Sequence, residues 1–582
     1  MEIKKGKTMK FFYDLQKNSA KLNLSCTTVD SITRIHVNVK FDKPQVPSRF
    51  CVYWEDECTD AYSTWTSTFD FSHILLPDWA KNVSPSSFAF CAPVFAMFKR
   101  NGNNKMTIAV SDAKNPIEIK SGVDEVTSIL KCSVEFFVNP TDVISEYNAT
   151  IYINEQNIRF HDALKDVDRF WSEECGLSYA YIPDTARRPV YSAWYSFHQN
   201  IDVDKIVEQC KLAKALGMES IIVDDGWQTD DAGRGYDYCG DWEPAASKVP
   251  DMKEFVSRVH ETGLKFILWF SVPHLGIHSK AYERFKTMVL SPTNKGTGTL
   301  DPRYPEVRKY LVSIYENAAR AWGVDGFKLD FIDDFRRRPD TPLYDDRRDI
   351  VSLEDAAEQL LIDITSTLKS INPDVLIEFR QSYYGPTIRK YGNMIRVGDC
   401  PNDSRRNKVI GTNMRWLLGK TPVHSDMLMW NVHDEVNVAA HQVICTLFCV
   451  PQISMRINEL PESHREMLKF WLKFWNTHRD TLLDGCLYAD SPESNYSCIG
   501  SEKDGECILV SYDNQVMQIP GGTHKFYGIN ATGKDSIILM SDSDNLNAEI
   551  YDCTGRLLRR EILSSHLSAV NVPDSGFIKI NL

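Results

Sequence analysis

Carboxylate, basic and tryptophan side chains recur where short apolar segments end in the middle of the chain. Residues 328–330 read Lys-Leu-Asp, residues 224–227 read Asp-Asp-Gly-Trp, and residues 396–399 read Arg-Val-Gly-Asp. Two carboxyl groups that converge on one cavity can cleave a glycosidic bond, one attacking the anomeric carbon and the other protonating the leaving oxygen. Indole faces suit the C–H faces of a sugar, and charged oxygens bind its hydroxyls. The residue types therefore predict a sugar-cleaving pocket.

A parallel barrel would bring these segment ends together. Between about residues 186 and 480, short apolar segments alternate with amphipathic ones. Predicted strands cover 189–197, 219–225, 265–271, 326–331, 374–380, 394–399, 422–428 and 451–457, and predicted helices include 202–217, 306–323 and 353–370. Eight strands alternating with helices over about 300 residues predict a (β/α)8 TIM barrel, whose active site lies at the carboxyl ends of its strands. A doubly wound open sheet is the alternative, but no glycine-rich phosphate motif follows the first strand.

The segments on either side of the barrel are rich in short alternating strands. Residues 33–41, 105–112 and 133–139 are examples, and turn-forming residues separate them. Such a pattern without long helices is typical of β-sandwiches. We therefore predict a multidomain α/β plus β chain: an N-terminal β-sandwich (1–175), a catalytic barrel (176–483) and a C-terminal antiparallel β domain (484–582).

Composition excludes several functional classes. Lys and Arg total 66 against 79 Asp and Glu, and the resulting net charge of −13 repels nucleic-acid phosphates and anionic lipid. No run of about 18 apolar residues occurs, and the N-terminal segment lacks an apolar leader. Fifteen cysteines without a C-x-x-C pair fit a reduced intracellular enzyme. We predict no nucleic-acid partner, no membrane span and a cytoplasmic location, or a periplasmic one if the start site is misassigned.

Five motifs, in this order, carry a resemblance to a known family. They are Ile222-Val-Asp-Asp-Gly-Trp227, Leu300-Asp-Pro-Arg-Tyr-Pro-Glu-Val-Arg308, Trp322-Gly-Val-Asp-Gly-Phe-Lys-Leu-Asp-Phe331, Phe379-Arg-Gln381 and Arg396-Val-Gly-Asp-Cys-Pro-Asn-Asp403. Together they resemble an α-galactosidase of glycoside hydrolase family 36. The resemblance covers roughly residues 186–480 and extends to the three-part layout.

The resemblance implies that Asp330 is the nucleophile and Asp399 the acid/base. Lys328 lies two residues from Asp330 along a strand, so both side chains face one side and the ammonium keeps the carboxylate ionised. A general acid needs a raised pKa, which a less polar setting or the field of Asp330 can give to Asp399. Family members commonly have Ser before the acid/base Asp, where this chain has Gly398, and therefore Asp403 remains the alternative.

The resemblance also implies a set of substrate-binding residues. Asp224 and Asp225 would contact the sugar's O4 and O6, Arg380 and Arg396 would lie near O2 and O3, and Trp194, Trp227 and Trp269 would wall the pocket, with Trp242 as a further wall. Without the family, the aspartate pair could cap the next loop, and Trp194 and Trp269 could belong to the barrel core. We expect structural roles for His274 and His424, because chemistry with two carboxylates needs neither.

The predicted function is a retaining, exo-acting α-galactosidase that releases terminal galactose from oligosaccharides by double displacement. No metal or organic cofactor is predicted, because side chains supply every chemical role. The same mechanism on an α-N-acetylgalactosaminide or β-L-arabinopyranoside, or galactosyl transfer as in raffinose synthases, is the alternative. A metal-dependent barrel lyase or isomerase and an inert carbohydrate-binding protein are the other classes. The resemblance is compatible with a homo-oligomer.

Overall fold

The N-terminal part of the chain forms two packed β-sheets. The computed structural model describes residues 2–5, 7–15, 20–69, 71–80, 83–139, 141–294, 296–342 and 345–582, with the backbone alone for strand residues 2–5, 7–15 and 292–294. The strands are β1 (Glu2–Lys5), β2 (Lys7–Leu15), β3 (Ala20–Val29), β4 (Ile32–Gln45), β5 (Phe50–Glu57), β6 (Ser63–Thr66), β7 (Val83–Ser86), β8 (Val94–Phe98), β9 (Asn104–Val110), β10 (Ile117–Asp124), β11 (Ile129–Phe136) and β12 (Ile144–Asn154). They pair in the orders β1-β2-β5-β11-β10-β7 and β3-β4-β12-β9-β8-β6. Alternating residues of both sheets, such as Val37, Val52 and Val134, form an apolar core between them.

The central part forms an eight-stranded parallel barrel, as predicted. Its strands are β13 (Val190–Ser192), β14 (Ser220–Val223), β15 (Lys265–Ser271), β19 (Gly326–Asp330), β20 (Leu376–Arg380), β21 (Met394–Arg396), β22 (Val423–His424) and β23 (Gln452–Ile453), and a small antiparallel sheet of β16 (His274–Gly276), β17 (Val289–Asn294) and β18 (Thr297–Leu300) follows β15. The order is β22-β21-β20-β19-β15-β14-β13-β23. The amide of Val450 donates to the carbonyl of Val423 at 2.8 Å, which brings the two ends of the sheet together.

Seven of the eight barrel strands are shorter than predicted. The segment predicted as a strand over 189–197 leaves the sheet after Ser192 and turns into a short helix. There the Ser454 hydroxyl accepts the amides of Tyr195 and Ser196 at 2.9 and 3.2 Å. Side-chain acceptors thus replace the sheet's hydrogen bonds at this end of the barrel, a local effect that apolar patterning does not reveal.

Helices surround the barrel, and four of those that the structure describes begin at side-chain caps. The helices are α1 (Phe160–Arg169), α2 (Trp194–Phe197), α3 (Val203–Ala215), α4 (Met252–Glu261), α5 (Lys280–Phe285), α6 (Pro305–Asn317), α7 (Leu353–Ile371), α8 (Ser404–Leu417), α9 (Val436–Ile444) and α10 (Glu462–Asp484). Asp202, Asp251, Ser352 and Asp403 each accept the amide three residues on. These caps satisfy amides that a helix leaves without partners and so fix where each helix starts.

The C-terminal part again forms β-sheets. Its strands are β24 (Cys486–Asp490), β25 (Cys498–Lys503), β26 (Glu506–Ser511), β27 (Val516–Gln518), β28 (Lys525–Asn530), β29 (Ile537–Met540), β30 (Leu546–Tyr551), β31 (Leu557–Leu563), β32 (Leu567–Val570) and β33 (Phe577–Asn581). The pairing is antiparallel apart from the parallel pairs β26/β28 and β27/β29. The predicted domain boundaries stay a prediction, and the one at 483/484 falls at the last residue of α10.

The outer sheets contact the barrel close to its strand ends. The Cys91 amide donates to the Ser382 carbonyl at 2.7 Å, which ties the N-terminal sandwich to the loop after β20. On the other side, Phe577 of β33 stacks on Phe470 of α10 with ring centres 5.5 Å apart. Cys91 and Phe577 are buried in these junctions, so the loop after β20 and helix α10 are each braced from outside the barrel.

We expect Phe577→Ala to lower the free energy of unfolding by about 3–5 kcal/mol, because a buried aromatic ring leaves a cavity. Phe577 is 4% exposed and also stacks on Tyr551 at 4.6 Å. Urea unfolding followed by tryptophan fluorescence measures the change. Leu558→Ala is the control, since Leu558 is 42% exposed and should alter stability by less than about 0.5 kcal/mol. Equal midpoints for the two variants would contradict the packing role of Phe577.

Candidate active site

A cavity of about 440 Å³ opens at the carboxyl ends of the barrel strands. The side chains and backbone that line it come from several strand ends and the loops that follow them. They are Trp194, Asp224, Asp225, Tyr236, Trp269, Lys328, Asp330, Phe331, Arg380, Gln381, Ser382, Arg396, Gly398, Asp399 and Arg406. The cavity has the size of a small-molecule site, and four carboxylates and four basic groups share its wall. The structure thus brings together nine of the ten predicted site residues.

Asp330, the last residue of β19, is buried among hydrogen-bond donors. Its Oδ1 accepts from Arg380 Nε at 2.6 Å and from the Phe331 amide at 2.8 Å, and Tyr383 Oη lies 3.1 Å away. Its Oδ2 accepts from Trp269 Nε1 at 3.0 Å. Burial opposes ionisation, but the charges of Arg380 and Lys328 hold the pKa of Asp330 far below its ordinary value.

Lys328 was expected to keep Asp330 ionised directly, but its ion pair is with another carboxylate. Lys328 Nζ lies 2.5 Å from Asp224 Oδ2, and both side chains are nearly inaccessible to solvent. Alternation along β19 does place Lys328 and Asp330 on one face, as predicted. Which carboxylate the ammonium reaches depends on the neighbouring strands, and Arg380 of β20 takes the position beside Asp330.

Asp225 has a different environment from its neighbour Asp224. Gln199 Nε2 and Gln228 Nε2 donate to its two oxygens at 2.6 and 2.7 Å. Burial, with a smaller contribution from the charge of Asp224, raises the pKa of Asp225 to about 6 against these hydrogen bonds. Asp224 Oδ1 also accepts the Asp225 amide at 2.9 Å, a local turn contact, and both aspartates line the cavity, where a hydroxyl-rich ligand can bind.

Asp399 lies at the open side of the cavity, with a side chain that is 58% exposed. Arg396 Nη2 donates to its Oδ1 at 2.9 Å. Burial and Asp330 favour the neutral acid, but Arg396 and Lys328 outweigh them and lower the pKa of Asp399. The expectation of a raised pKa is therefore not met in the unliganded cavity, because the arginine three residues upstream folds back onto the carboxylate.

Arg396 itself belongs to a buried network below the cavity. It pairs with Asp426, whose Oδ2 accepts from the Cys400 amide at 2.7 Å and from Tyr195 Oη at 3.0 Å. Glu378 is also buried and lies 3.7 Å from Arg396 Nε. Two interior acids thus hold the guanidinium in place, and Arg396 in turn holds the chain segment that carries Asp399.

The predicted tryptophans divide into two groups. Trp194 and Trp269 line the cavity, and Trp194 stacks on His198 with ring centres 3.8 Å apart. Trp227 does not line it: its indole is fully buried behind Trp269 and donates to the Trp269 carbonyl at 2.9 Å. The prediction of Trp227 as a pocket wall is corrected, because the turn after β14 sends its ring into the core. Trp242 packs there too, against Trp227 at 6.0 Å.

The other candidate acid and bases lie outside the cavity lining. Asp403 caps α8, accepting the Arg406 amide at 2.9 Å, which leaves Asp399 as the acid that faces the cavity. His274 lies 3.1 Å from Asp334 Oδ2. His424 is buried beside the Ala186 carbonyl at 2.8 Å, and burial lowers its pKa to about 4. These contacts give both histidines structural positions.

Several lining residues were missed from the sequence. Tyr236 comes from the long loop after β14, and Arg406 comes from the first turn of α8. Gln381 belongs to the Phe379-Arg-Gln381 motif, but no role could be assigned to it from the sequence. Its Oε1 accepts the Gly398 amide at 3.3 Å, next to Asp399. A run of polar residues directly after a barrel strand was the available signal for Gln381 and Ser382, but no pattern pointed to Tyr236 or Arg406.

Neither a metal centre nor a membrane-spanning helix is found in the described part of the chain. The described residues contain no group of three or more His, Cys, Asp or Glu side chains arranged to hold a metal ion. Within the same ranges, no helix has both the length and the apolar composition that crossing a bilayer requires. The cavity is equipped for carboxylate chemistry. Asp330 is held ionised, Asp399 lies at the solvent edge, and indole rings and cationic side chains flank both.

The barrel region of the chain matches a known protein family. The family model described as Melibiase matches residues 179–485, more than half of the chain and nearly the whole barrel. The chain belongs to the Melibiase family. Among curated relatives, alpha-galactosidase Mel36A of Lactobacillus acidophilus is 23% identical over 307 residues, which is 50% of this chain and 40% of that protein. The alignment thus spans less than half of the relative's length.

Solved structures show that the fold of this Melibiase family member is shared beyond the barrel. The galactosidase domain of the alpha-galactosidase-sucrose kinase AgaSK superposes with a TM-score of 0.66 at 12% identity, over 97% of this chain and 80% of that one. A family 36 alpha-galactosidase AgaA from Geobacillus stearothermophilus, in complex with raffinose, gives 0.65 at 14% identity, over 97% and 81%. The three-part fold, sandwich, barrel and C-terminal β domain, is therefore common to these proteins.

We expect Lys328→Met to destabilise the protein by about 3–5 kcal/mol, because it leaves the buried Asp224 carboxylate without its partner. The double variant Lys328→Met with Asp224→Asn removes that stranded charge and should recover part of the loss. Urea denaturation of the four proteins of the cycle measures the coupling. A double variant no more stable than Lys328→Met alone would show that the pair is not what stabilises this part of the barrel.

Proposed function

We propose that this protein is a retaining, exo-acting α-galactosidase that releases terminal α-linked galactose from oligosaccharides. The observation that carries the proposal is the placement of Asp330 and Asp399 in the wall of one 440 Å³ cavity, with Asp330 held ionised by Arg380 and Lys328. Membership of the Melibiase family and relatives named alpha-galactosidase support the galactose specificity. The AgaA complex with raffinose supports an oligosaccharide substrate.

In the first half-reaction, Asp330 attacks the anomeric carbon and the glycosidic bond breaks. Its Oδ2 is the attacking atom, because Oδ1 already faces the Arg380, Phe331 and Tyr383 donors whereas Oδ2 has the Trp269 indole alone among the described contacts. Asp399 gives its proton to the leaving oxygen. The product is a β-linked galactosyl ester on Asp330, inverted once at the anomeric carbon.

In the second half-reaction, Asp399 takes a proton from water, which attacks the ester and restores the α anomer. Substrate that covers Asp399 excludes water and raises its pKa, as the ionised Asp330 does by repulsion. Once Asp330 is esterified, that repulsion is gone and the pKa of Asp399 falls, so Asp399 stays ionised after it has given up its proton and can accept one from water. The two roles of Asp399 follow from the charge state of its neighbour.

Recognition of galactose is assigned to the inner end of the cavity. Asp224 and Asp225 are 3% exposed there and their oxygens accept hydrogen bonds from sugar hydroxyls, while Trp194 and Trp269 offer indole faces to the ring. Arg380 and Arg396 complete the wall near O2 and O3.

An intracellular location belongs to the same proposal. It is supported by fifteen cysteines that are spread through the chain without a C-x-x-C pair.

The proposal is tested with nitrophenyl α-galactoside and ¹H NMR. The first product should be α-galactose, which later equilibrates to the β anomer. First appearance of β-galactose would rule out double displacement. The rates of hydrolysis of nitrophenyl α-N-acetylgalactosaminide and nitrophenyl β-L-arabinopyranoside measure the sugar specificity. If either is hydrolysed faster than the α-galactoside, its sugar replaces galactose in the proposal.

We expect Asp330→Ala to lose turnover and to regain it with azide, giving β-galactosyl azide from an α-galactoside. Azide fits the space left by the carboxylate and displaces the leaving group with a single inversion. The azide product is separated and its anomer read by NMR. Turnover at the level of the unmodified enzyme without azide would remove Asp330 as nucleophile.

Asp399→Ala should give the opposite anomer under the same conditions. The galactosyl ester on Asp330 still forms from an activated aryl galactoside, and azide then attacks it with a second inversion, so that α-galactosyl azide results. Hydrolysis of an unactivated oligosaccharide should fall by about 10²–10⁴-fold, because the leaving oxygen lacks its proton donor. Asp403→Ala is the matched control and should hydrolyse both substrates normally. A β azide from Asp399→Ala would refute its role.

The pH dependence of kcat/KM should show a limb near pH 6 that belongs to Asp225. Because burial raises the pKa of this carboxyl to about 6, it is protonated below that pH and ionised above it. Only the ionised form accepts a hydrogen bond on both oxygens, so kcat/KM should fall as the pH drops through 6. Asp225→Asn should have a lower kcat/KM without that limb. An unchanged limb in Asp225→Asn would assign it to another group.

A further inference from the structure

A second cavity, of about 280 Å³, lies between the barrel helices and the C-terminal sheets. Helix α8 separates it from the catalytic cavity: Arg406 lines the catalytic cavity, whereas Arg405 and Lys408 line the second one. His441 of α9 and Ser494, Ser497 and Asp513 of the C-terminal part complete the polar portion of its wall. None of these residues takes part in the proposed glycosidase chemistry.

Lys408 is the distinctive residue of this cavity. It is 8% exposed, its Nζ donates to the Tyr496 carbonyl at 3.0 Å, and it lies 4.2 Å from the centre of the Tyr512 ring. In the part of the chain that the structure describes, no carboxylate forms an ion pair with it. Burial lowers the pKa of Lys408 to about 8, which is the mark of a charge that the surrounding protein compensates incompletely. Two of its three N–H donors remain for a ligand.

The other charged groups leave the cavity net positive. Arg405 packs over Phe71 at 5.4 Å and has no ion pair among the described residues. His441 is half-buried, and partial desolvation lowers its pKa, so it is neutral near pH 7. Asp513 is the one carboxylate in the described lining. Two cations against one anion leave an uncompensated positive charge beside hydroxyl groups.

We propose that this cavity binds a phosphoryl group, supplied by inorganic phosphate or by a sugar phosphate, through Lys408 and Arg405. A tetrahedral oxyanion supplies the acceptors that Lys408 lacks and neutralises both cations. Ser494 can donate to a remaining oxygen, whereas the Ser497 hydroxyl already donates to Ser491 Oγ at 3.0 Å. Asp513, which repels an anion, suits the hydroxyl of a sugar attached to the phosphate. The site is distinct from the galactose pocket and its occupation does not depend on the proposed function.

Calorimetric titration of the purified full chain in phosphate-free buffer tests the proposal. Inorganic phosphate should bind saturably at one site. Lys408→Met, which keeps the aliphatic stem, should weaken the affinity at least about tenfold, and Arg405→Gln should weaken it severalfold. Lys211→Met on α3 is the control for loss of one positive charge at an exposed position and should bind as the unmodified protein does.

Glucose 6-phosphate distinguishes the two sources of the phosphoryl group. Tighter binding than inorganic phosphate, lost in Lys408→Met, supports a sugar phosphate; equal or weaker binding supports free phosphate. The Arg406→Gln variant, at the catalytic cavity, should bind phosphate normally. No saturable binding, binding that survives Lys408→Met, or binding lost in Arg406→Gln alone would overturn the proposal. If Lys408→Met fails to fold, the Arg405→Gln variant, altered at the surface, provides the test. An affinity for phosphate equal to that of the unmodified protein would then refute the proposal.

Discussion

The site depends on compensating several acidic groups that are buried at one end of the barrel. Asp224, Asp225 and Asp330 are each at least nine-tenths inaccessible to solvent, and Glu378 and Asp426 lie just below them. Burial alone would keep such groups protonated or unfold the strand ends that carry them. Lys328, Arg380 and Arg396 come from β19, β20 and β21, three adjacent strands, and the parallel register places each beside a different acid. The barrel is thus the means by which charges far apart in sequence are matched.

This matching also explains the bracing of the barrel from outside. Arg380, which pairs with Asp330, is the last residue of β20, and the N-terminal sandwich bonds to the loop that follows it through Cys91 and Ser382. Tyr384, two residues further on, stacks on Phe69 of the sandwich at 5.0 Å and donates to the Ser67 carbonyl. The sandwich therefore braces the loop that follows Arg380, although none of its described residues lines the cavity.

Much of this arrangement could be predicted from the sequence, because strand alternation and strand-end position are local properties. Asp330, Asp224 and Arg396 were placed correctly at the cavity since each ends or follows a barrel strand. The partner of Lys328 could not be predicted, because it depends on the register between β19 and its neighbours. The burial of Trp227 and the entry of Tyr236 depend on how the loop after β14 folds over the barrel, and no periodic pattern encodes that path.

The contrast between Asp330 and Asp399 follows from the same constraint and suits each to its proposed role. Asp330 is enclosed by donors and cations, so its ionisation does not depend on substrate. Asp399 is 58% exposed and forms an ion pair only with Arg396 among the described residues, so its protonation depends on whether substrate covers it. An acid buried as deeply as Asp330 could not exchange protons with water, and a nucleophile as exposed as Asp399 would be solvated and slow to attack. The barrel end therefore separates the two proposed functions by depth: Asp330, whose charge is fixed, lies inside, and Asp399, whose charge can change, lies at the mouth.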